Sequence, residues 1–277
     1  MRDGLGPARV RLHGGNVLAE LTSRFGSDAE AKVLGGEVVH PDGTVVDAST
    51  IAAAGDRVFV YRDLPDEVEV PFDIPVLYRD DDIVVADKPH FLATMPRGGH
   101  VAQTALVRLR RELDLPELAP AHRLDRLTAG VLLFTTRRAV RGAYQTLFAA
   151  GVVSKTYLAV AQGVPNIQLP TVVRNRMVKR RGELQAHVVP GDVNAETFVE
   201  SLGDGRYRLT PRTGRTHQLR VHMAGLGLPI AGDPLYPDVL ETAPGDFSNP
   251  LRLLAYRLEF VDPVTGLRRR FVSARTL

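Results

Sequence analysis

The run Val131-Leu132-Leu133-Phe134 is apolar without a break. The ten residues before it, Ala121-His122-Arg123-Leu124-Asp125-Arg126-Leu127-Thr128-Ala129-Gly130, place one carboxylate between two arginines at its mouth. A run of this kind reads as a buried strand, so whatever fold the chain adopts must accommodate charge at the entrance to its core. An Asp beside guanidinium groups is expected to stay ionised at neutral pH, because each cation favours the charged form. That makes Asp125 a candidate nucleophile or base and not a proton donor.

With 277 residues and 44% apolar content, the chain can bury a sizeable core as one large domain, or as a large domain with a small appendage. It has no cysteine, which excludes thiol nucleophiles, disulfides and cysteine-based zinc sites. No stretch approaches the roughly 18 apolar residues of a membrane span, so the expectation is a soluble, cytoplasmic protein without membrane contact. The net charge of +3 is unevenly placed: residues 1 to 75 hold 7 Lys/Arg against 13 Asp/Glu, and the remainder holds 28 against 19. The densest basic cluster is Arg174-Asn175-Arg176-Met177-Val178-Lys179-Arg180-Arg181, with Arg206, Arg208, Arg212, Arg215 and Arg220 further on. One such cluster is as readily a solvated face, but several in one domain point to a polyanion such as nucleic acid.

The pattern breaks near residue 70. Before it, residues 17–21 and 29–34 read as short helices, and 37–40 and 44–46 as strands about the turn Pro41-Asp42-Gly43, with 57–61 as a closing strand. The segment from Leu64 to Pro75 is acidic and proline-punctuated, as a linker would be. We therefore expect a small α/β module over 1–70 and a second domain over 71–277. In the latter, strands are predicted at 76–78, 83–86, 131–135, 156–161, 197–200 and 207–210 and near Leu258 and Phe271, with helices at 102–113, 138–149 and 216–226. The fold class is α+β, a central mixed and largely antiparallel sheet flanked by helices.

Two further segments carry chemistry. In Thr213-Gly214-Arg215-Thr216-His217-Gln218-Leu219-Arg220-Val221-His222-Met223, Thr216 is a plausible helix N-cap and Leu219, Met223 and Leu226 form an apolar stripe. His217 and Arg220 share another face, where a cation could pair with a carboxylate from elsewhere, Asp125 being the natural candidate. The histidines at 217 and 222 are spaced five apart, which does not stack them for a metal, and no metal is expected. In Lys155-Thr156-Tyr157-Leu158-Ala159-Val160, alternation puts Lys155, Tyr157 and Ala159 on one side, so a phenol could project into the same cleft, although a strand tyrosine is most often ordinary packing.

In order along the chain, Asp87-Lys88-Pro89, His122 to Gly130, Lys155-Thr156-Tyr157, Ala195-Glu196-Thr197-Phe198, Thr213 to His222 and Gly232-Asp233-Pro234-Leu235-Tyr236 resemble the RluA-type pseudouridine synthases, which isomerise selected uridines in RNA. The resemblance implies the pseudouridine synthase fold and no metal or organic cofactor. It further implies Asp125 as the nucleophilic carboxylate, Tyr157 as the aromatic that stacks on the target base, Arg220 as the cation paired with Asp125, and Arg123 as the side chain that fills the place of the flipped uridine. RNA contacts are expected from Arg123, Arg126, Arg174, Arg176, Lys179, Arg180, Arg215 and His217. The partner expected is RNA, ribosomal in preference to transfer RNA, bound by a monomer. His90 to Pro96, Ala129 and Leu228 depart from the family pattern and suggest a divergent subgroup. Residues 1–70 are similar to the small RNA-binding domain named after a ribosomal protein of the small subunit, though more acidic. The competing functions are an RNA-binding or ribosome-assembly factor that lost catalysis, and a glycosidase-like hydrolase, which would need a second carboxylate.

Overall fold

The structure, a computed structural model, describes residues 4–61 and 66–277; Leu64 and Pro65, read above as the start of a linker, lie outside them. The chain forms two compact units, Met1–Asp66 and Glu67–Leu277. In the first, β1 (Ala8–Arg11), β2 (Gly15–Asn16), α1 (Val17–Phe25), α2 (Ser27–Leu34), β3 (Val38–Val39), β4 (Ile51–Ala52) and β5 (Arg57–Val60) follow in order. Strands β1, β5 and β3 make one small sheet and β2 pairs with β4. Asn16 caps α1 by accepting from the Ala19 amide at 2.9 Å. Leu12, Val17, Leu21, Val33, Val38 and Val58 close the core of this unit.

The second unit runs β6 (Val76–Arg79), β7 (Ile83–Lys88), α3 (Ala105–Glu112), β8 (Ala119–Pro120), β9 (Ala129–Thr135), α4 (Arg138–Ala149), β10 (Ser154–Val160), β11 (Thr171–Val178), β12 (His187–Val189), β13 (Ala195–Gly203), β14 (Arg206–Pro211), α5 (Gln218–Gly225), β15 (Leu253–Val261) and β16 (Arg268–Val272). They form an 11-stranded sheet in the order β12-β11-β13-β14-β10-β15-β9-β7-β6, with β16 on β15 and β8 on β9. Every pairing is antiparallel except β15 with β9. This is the mixed, largely antiparallel sheet of the expected α+β class. No helix among the described residues is long and apolar enough to cross a membrane.

The unbroken apolar runs of β7 and β9 follow from burial on both faces. Val84, Ala86, Leu132 and Phe134 join one core with α3 and α5, while Ile83, Val85, Val131 and Leu133 join another with Val140 and Tyr144 of α4. Each such side chain contributes roughly 1.5–3 kcal/mol on leaving water. The segment read as a linker is not one over its described length. Val70 and Ile74 are buried in the first core, and the Glu67 carboxylate accepts from the amides of Val101, Ala102 and Gln103. Its prolines separate apolar residues that the core absorbs one at a time.

Helix α5 also starts later than predicted. His217, with φ 60°, occupies the N-cap position, and no side chain caps the helix there. Gln218 closes the preceding turn in place of Thr216: its Oε1 accepts from Thr213 Oγ1 and the Arg215 amide, and its Nε2 donates to the Glu196 carbonyl and Thr197 Oγ1. The apolar stripe Leu219, Met223 and Leu226 packs into the first core as expected.

The parallel contact of β9 with β15 is made at Ala129 and Gly130. Gly130 has φ 113°, and a Cβ there would overlap the Ala255 carbonyl oxygen, a backbone atom that cannot swing aside. The Gly130→Ala protein is therefore expected to lose about 3 kcal/mol or more of stability. Urea denaturation should show this as a lower midpoint at unchanged slope; a midpoint equal to wild type would disprove the close approach.

Candidate active site

Asp125 sits in the loop between β8 and β9, and that loop is held from behind by the end of β7. Lys88 is fully buried, and its ammonium donates to the carbonyls of Pro89 (2.8 Å), Leu92 (2.7 Å) and Arg126 (3.2 Å), so all three of its protons are used. His90 Nδ1 contacts the Leu127 carbonyl at 2.8 Å, and Thr94 Oγ1 bonds both the amide and the carbonyl of Leu124. The carbonyls of residues 124, 126 and 127 are thus fixed by three side chains of one segment. Burial pushes the Lys88 pKa well down; the Asp125 charge opposes this, and Arg275 and Arg126 add to it. Asp87, 1% exposed, accepts from Ser273 Oγ and the Ala274 amide and faces Arg275 at 3.5 Å. The strand end thus carries a buried anion and a buried cation, each fully partnered.

The Asp125 carboxylate opens into a cleft of about 670 Å³ that His122, Arg123, Tyr157, Arg215, His217 and Arg220 also line. Lys155 and Tyr157 both reach it from β10, as alternation required. Burial first, then the negative charge of Asp125, raise the Tyr157 pKa, so its phenol keeps its proton at neutral pH. His122, which also lines the cleft, stacks on Phe148, with centroids 4.3 Å apart and planes at 17°. The Leu133 amide donates to His122 Nε2 at 3.2 Å, and burial pushes the His122 pKa down to about 3, so this ring is a neutral wall of the cleft. Arg123 is exposed at the mouth.

The expected pairing of Arg220 with Asp125 is corrected by the structure. Arg220 Nε donates to Asp233 Oδ2 at 2.8 Å and its Nη2 to Asp233 Oδ1, with both side chains almost wholly buried. Asp233 lies 13 residues on and also accepts the amides of Leu235 and Tyr236, so one carboxylate closes the turn and binds the guanidinium in the two-pronged geometry that Arg favours. Tyr236 covers the guanidinium at 5.1 Å. Arg220 still lines the cleft with Asp125, but as an already neutralised cation.

The remaining predicted residues divide. Arg215 lines the cleft and is tethered by Nε to the Asn194 carbonyl at 3.0 Å. Arg126 is half-buried and lies outside the cleft lining, its pKa lowered by burial and by Arg220. Arg174, Arg176, Lys179 and Arg180 stand exposed on β11 and the turn to β12, outside the cleft. Part of that charge is already matched: Arg174 pairs with Glu196 at 2.7 Å and Arg180 with Glu183 at 3.4 Å, while Lys179 donates to the Glu183 carbonyl. Such exposed pairs are worth only about 0–1 kcal/mol and exchange readily for another anion.

A family model described as RNA pseudouridylate synthase matches residues 82–225, which include Asp125, Tyr157 and Arg220. The chain belongs to the RNA pseudouridylate synthase family. Within that family it is 33% identical over 216 residues to "Pseudouridylate synthase RPUSD2" of Homo sapiens, covering 76% of this chain and 39% of that longer protein. It is 32% identical over 200 residues to "Dual-specificity RNA pseudouridine synthase RluA" of Salmonella typhi, covering 69% of this chain and 88% of the relative, in keeping with an RluA-type member. The solved structure "Human RNA Pseudouridylate Synthase Domain Containing 1" superposes with a TM-score of 0.59 at 25% identity, over 76% of this chain and 86% of that one.

Several residues that build this cleft were given no part in a site by the sequence reading. A charged pair ending an apolar strand, Asp87-Lys88, is a signal that could have marked the support of the Asp125 loop. Ser273 and Arg275 carry no such signal. His222 belongs to a polar seam behind the cleft, with Nδ1 on Thr197 Oγ1 at 2.9 Å and Nε2 on Asn175 Oδ1 at 3.1 Å. Burial lowers its pKa to about 4. A histidine kept neutral in the fold but free to protonate in the unfolded chain contributes stability in full above about pH 6.5 and loses it as pH falls towards 4. Its expected share of that slope is about 1.4 kcal/mol per pH unit. Denaturation of wild type and His222→Gln across this window should give a shallower slope in the variant; equal slopes would contradict a buried neutral His222.

Proposed function

We propose that this chain converts selected uridines of structured RNA to pseudouridine, with Asp125 as the nucleophilic carboxylate. What supports this reading most is the convergence of Asp125, Tyr157 and Arg220 on one cleft in a member of this family, with Arg123 at its mouth. The reaction breaks the bond from uracil N1 to the ribose C1′, turns the base, and joins C5 to the same carbon; C5 gives up its proton and the freed N1 takes one up from water. Atoms and electrons balance without an oxidant or reductant. Asp125 engages the sugar or the base while the bond is open, and Lys88, which anchors the loop that carries it, lies close enough to feel its charge. The protonated phenol of Tyr157 offers a flat, half-buried face for the base to stack on.

A stacked uridine cannot be turned in place, so the base has to be extruded at a cost of a few kcal/mol and held in the cleft. Arg123, exposed and beside the nucleophile, suits the gap left in the RNA. The β11–β12 hairpin suits the flanking backbone, since Arg174, Arg176, Lys179 and Arg180 exchange weak surface partners for phosphates. Ribosomal RNA is the substrate we favour, on the strength of the small unit that precedes the catalytic one, with the protein acting as a cytoplasmic monomer.

Two experiments test the reading. With RNA carrying tritium at uridine C5, the wild-type protein should release label without strand cleavage or free uracil, whereas Asp125→Asn should keep RNA binding and release none. Free uracil would indicate a hydrolase, and label release by the Asn variant would remove Asp125 from its role. For the hairpin, replacing Arg176, Lys179 and Arg180 together with Gln should weaken RNA binding and lower the slope of log K against log salt by about 2 to 3. An unchanged slope would take the hairpin out of the RNA interface.

A further inference from the structure

We propose that the Tyr236 hydroxyl fixes His217 in the neutral form that carries its proton on Nε2, and that this N–H is a donor to a carbonyl oxygen of the uracil in the cleft. The inference rests on the reading of the cleft as the uridine site. His217 takes a left-handed backbone conformation, φ 60°, at the corner before α5. Non-glycine residues pay for that conformation, and the cost is commonly found where a side chain must be aimed. The corner is held by Gln218, which leaves His217 free of any capping duty.

The hydrogen-bond accounting at Tyr236 decides the tautomer. Its oxygen receives the Ala186 amide at 2.6 Å. The single hydroxyl proton can go to His217 Nδ1 at 2.9 Å or to the Ala186 carbonyl at 3.4 Å, and the second lies at the limit of a hydrogen bond. The proton goes to Nδ1, which makes Nδ1 an acceptor and leaves the ring proton on Nε2. Nε2 has no partner among the described residues, while the ring lines the cleft that contains Asp125. The ring also stays uncharged, its pKa lowered by burial above all, with Arg220 and Lys179 adding to this and Asp125 and Asp233 opposing it.

A neutral donor suits this position better than a cation. A protonated His217 would pair with Asp125 and withdraw the nucleophile. When the bond to C1′ breaks, its electron pair passes to the uracil ring and is shared with the carbonyl oxygens, and an oriented N–H stabilises that charge as it appears. It also discriminates between bases, because a donor meets the O4 oxygen of uracil favourably but opposes the exocyclic amine of cytosine. His217 is then a catalytic residue and Tyr236 a positioning residue, whose ring meanwhile covers Arg220.

The tautomer is read directly by 15N NMR of histidine-labelled wild-type protein, with the His217→Ala spectrum identifying the signals. We expect Nε2 protonated and Nδ1 bare in wild type, and loss of that preference in Tyr236→Phe, which keeps the ring over Arg220. In the label-release assay kcat should fall about a hundredfold for His217→Ala and about tenfold for Tyr236→Phe, with KM changed less than about twofold. His217→Gln, which returns an amide N–H near the Nε2 position, should recover part of the loss. A proton on Nδ1 in wild type, or wild-type kcat in both folded variants, overturns the inference. If the wild-type protein releases no label from any RNA, the proposed function itself fails, and the spectra still report whether Tyr236 sets the tautomer.

Discussion

The site depends on a lysine that never meets the cleft. Lys88 spends its three protons on three carbonyls, and one of these belongs to Arg126, the residue after Asp125. A buried ammonium is costly unless every proton is bonded and an anion lies near, and here the carbonyls meet the first demand and Asp125 helps to meet the second. The backbone of the Asp125 loop is therefore anchored to the end of a strand buried along its whole length, where neighbouring packing leaves no slack. Asp87 extends the arrangement on the other side, to Ser273 and Arg275.

A similar economy governs the facing wall. Asp233 closes the turn before Pro234 and holds both prongs of Arg220, so the cation is oriented before any substrate arrives. Gln218 does the same for the corner that carries Arg215 and His217. Side chains that line the cleft are in this way separated from those that aim them, and an arrangement fixed beforehand needs no rearrangement when charge develops.

The sequence revealed the parts whose physics is local. The apolar run of β9, the helix over residues 138–149, the alternation of Lys155 and Tyr157 and the stripe of α5 are periodic signals, and each faces or fills what its period implies, although α5 itself begins two residues late. It hid what depends on distant partners. The order of residues pointed to Asp125 as the acid for Arg220, and only the folded turn that brings Asp233 to it shows otherwise. Val70 and Ile74 resembled linker residues because prolines surround them, and only the shape of the remote core shows that each fills a place in it. The basic cluster was counted without Glu183 and Glu196, which take up part of its charge.

The parallel neighbour of β9 is β15, which is read last but one among the strands. A ribosome making this chain therefore releases the Asp125 segment well before residues 253–261, the strand that closes over Gly130, and before Ser273, which donates to Asp87, and Arg275, which faces it. A nascent chain that has emerged only as far as α5 lacks β15, the parallel partner of β9, and the Ser273 and Arg275 partners of Asp87. The order of the segments thus makes assembly of the cleft wait for residues 253–275.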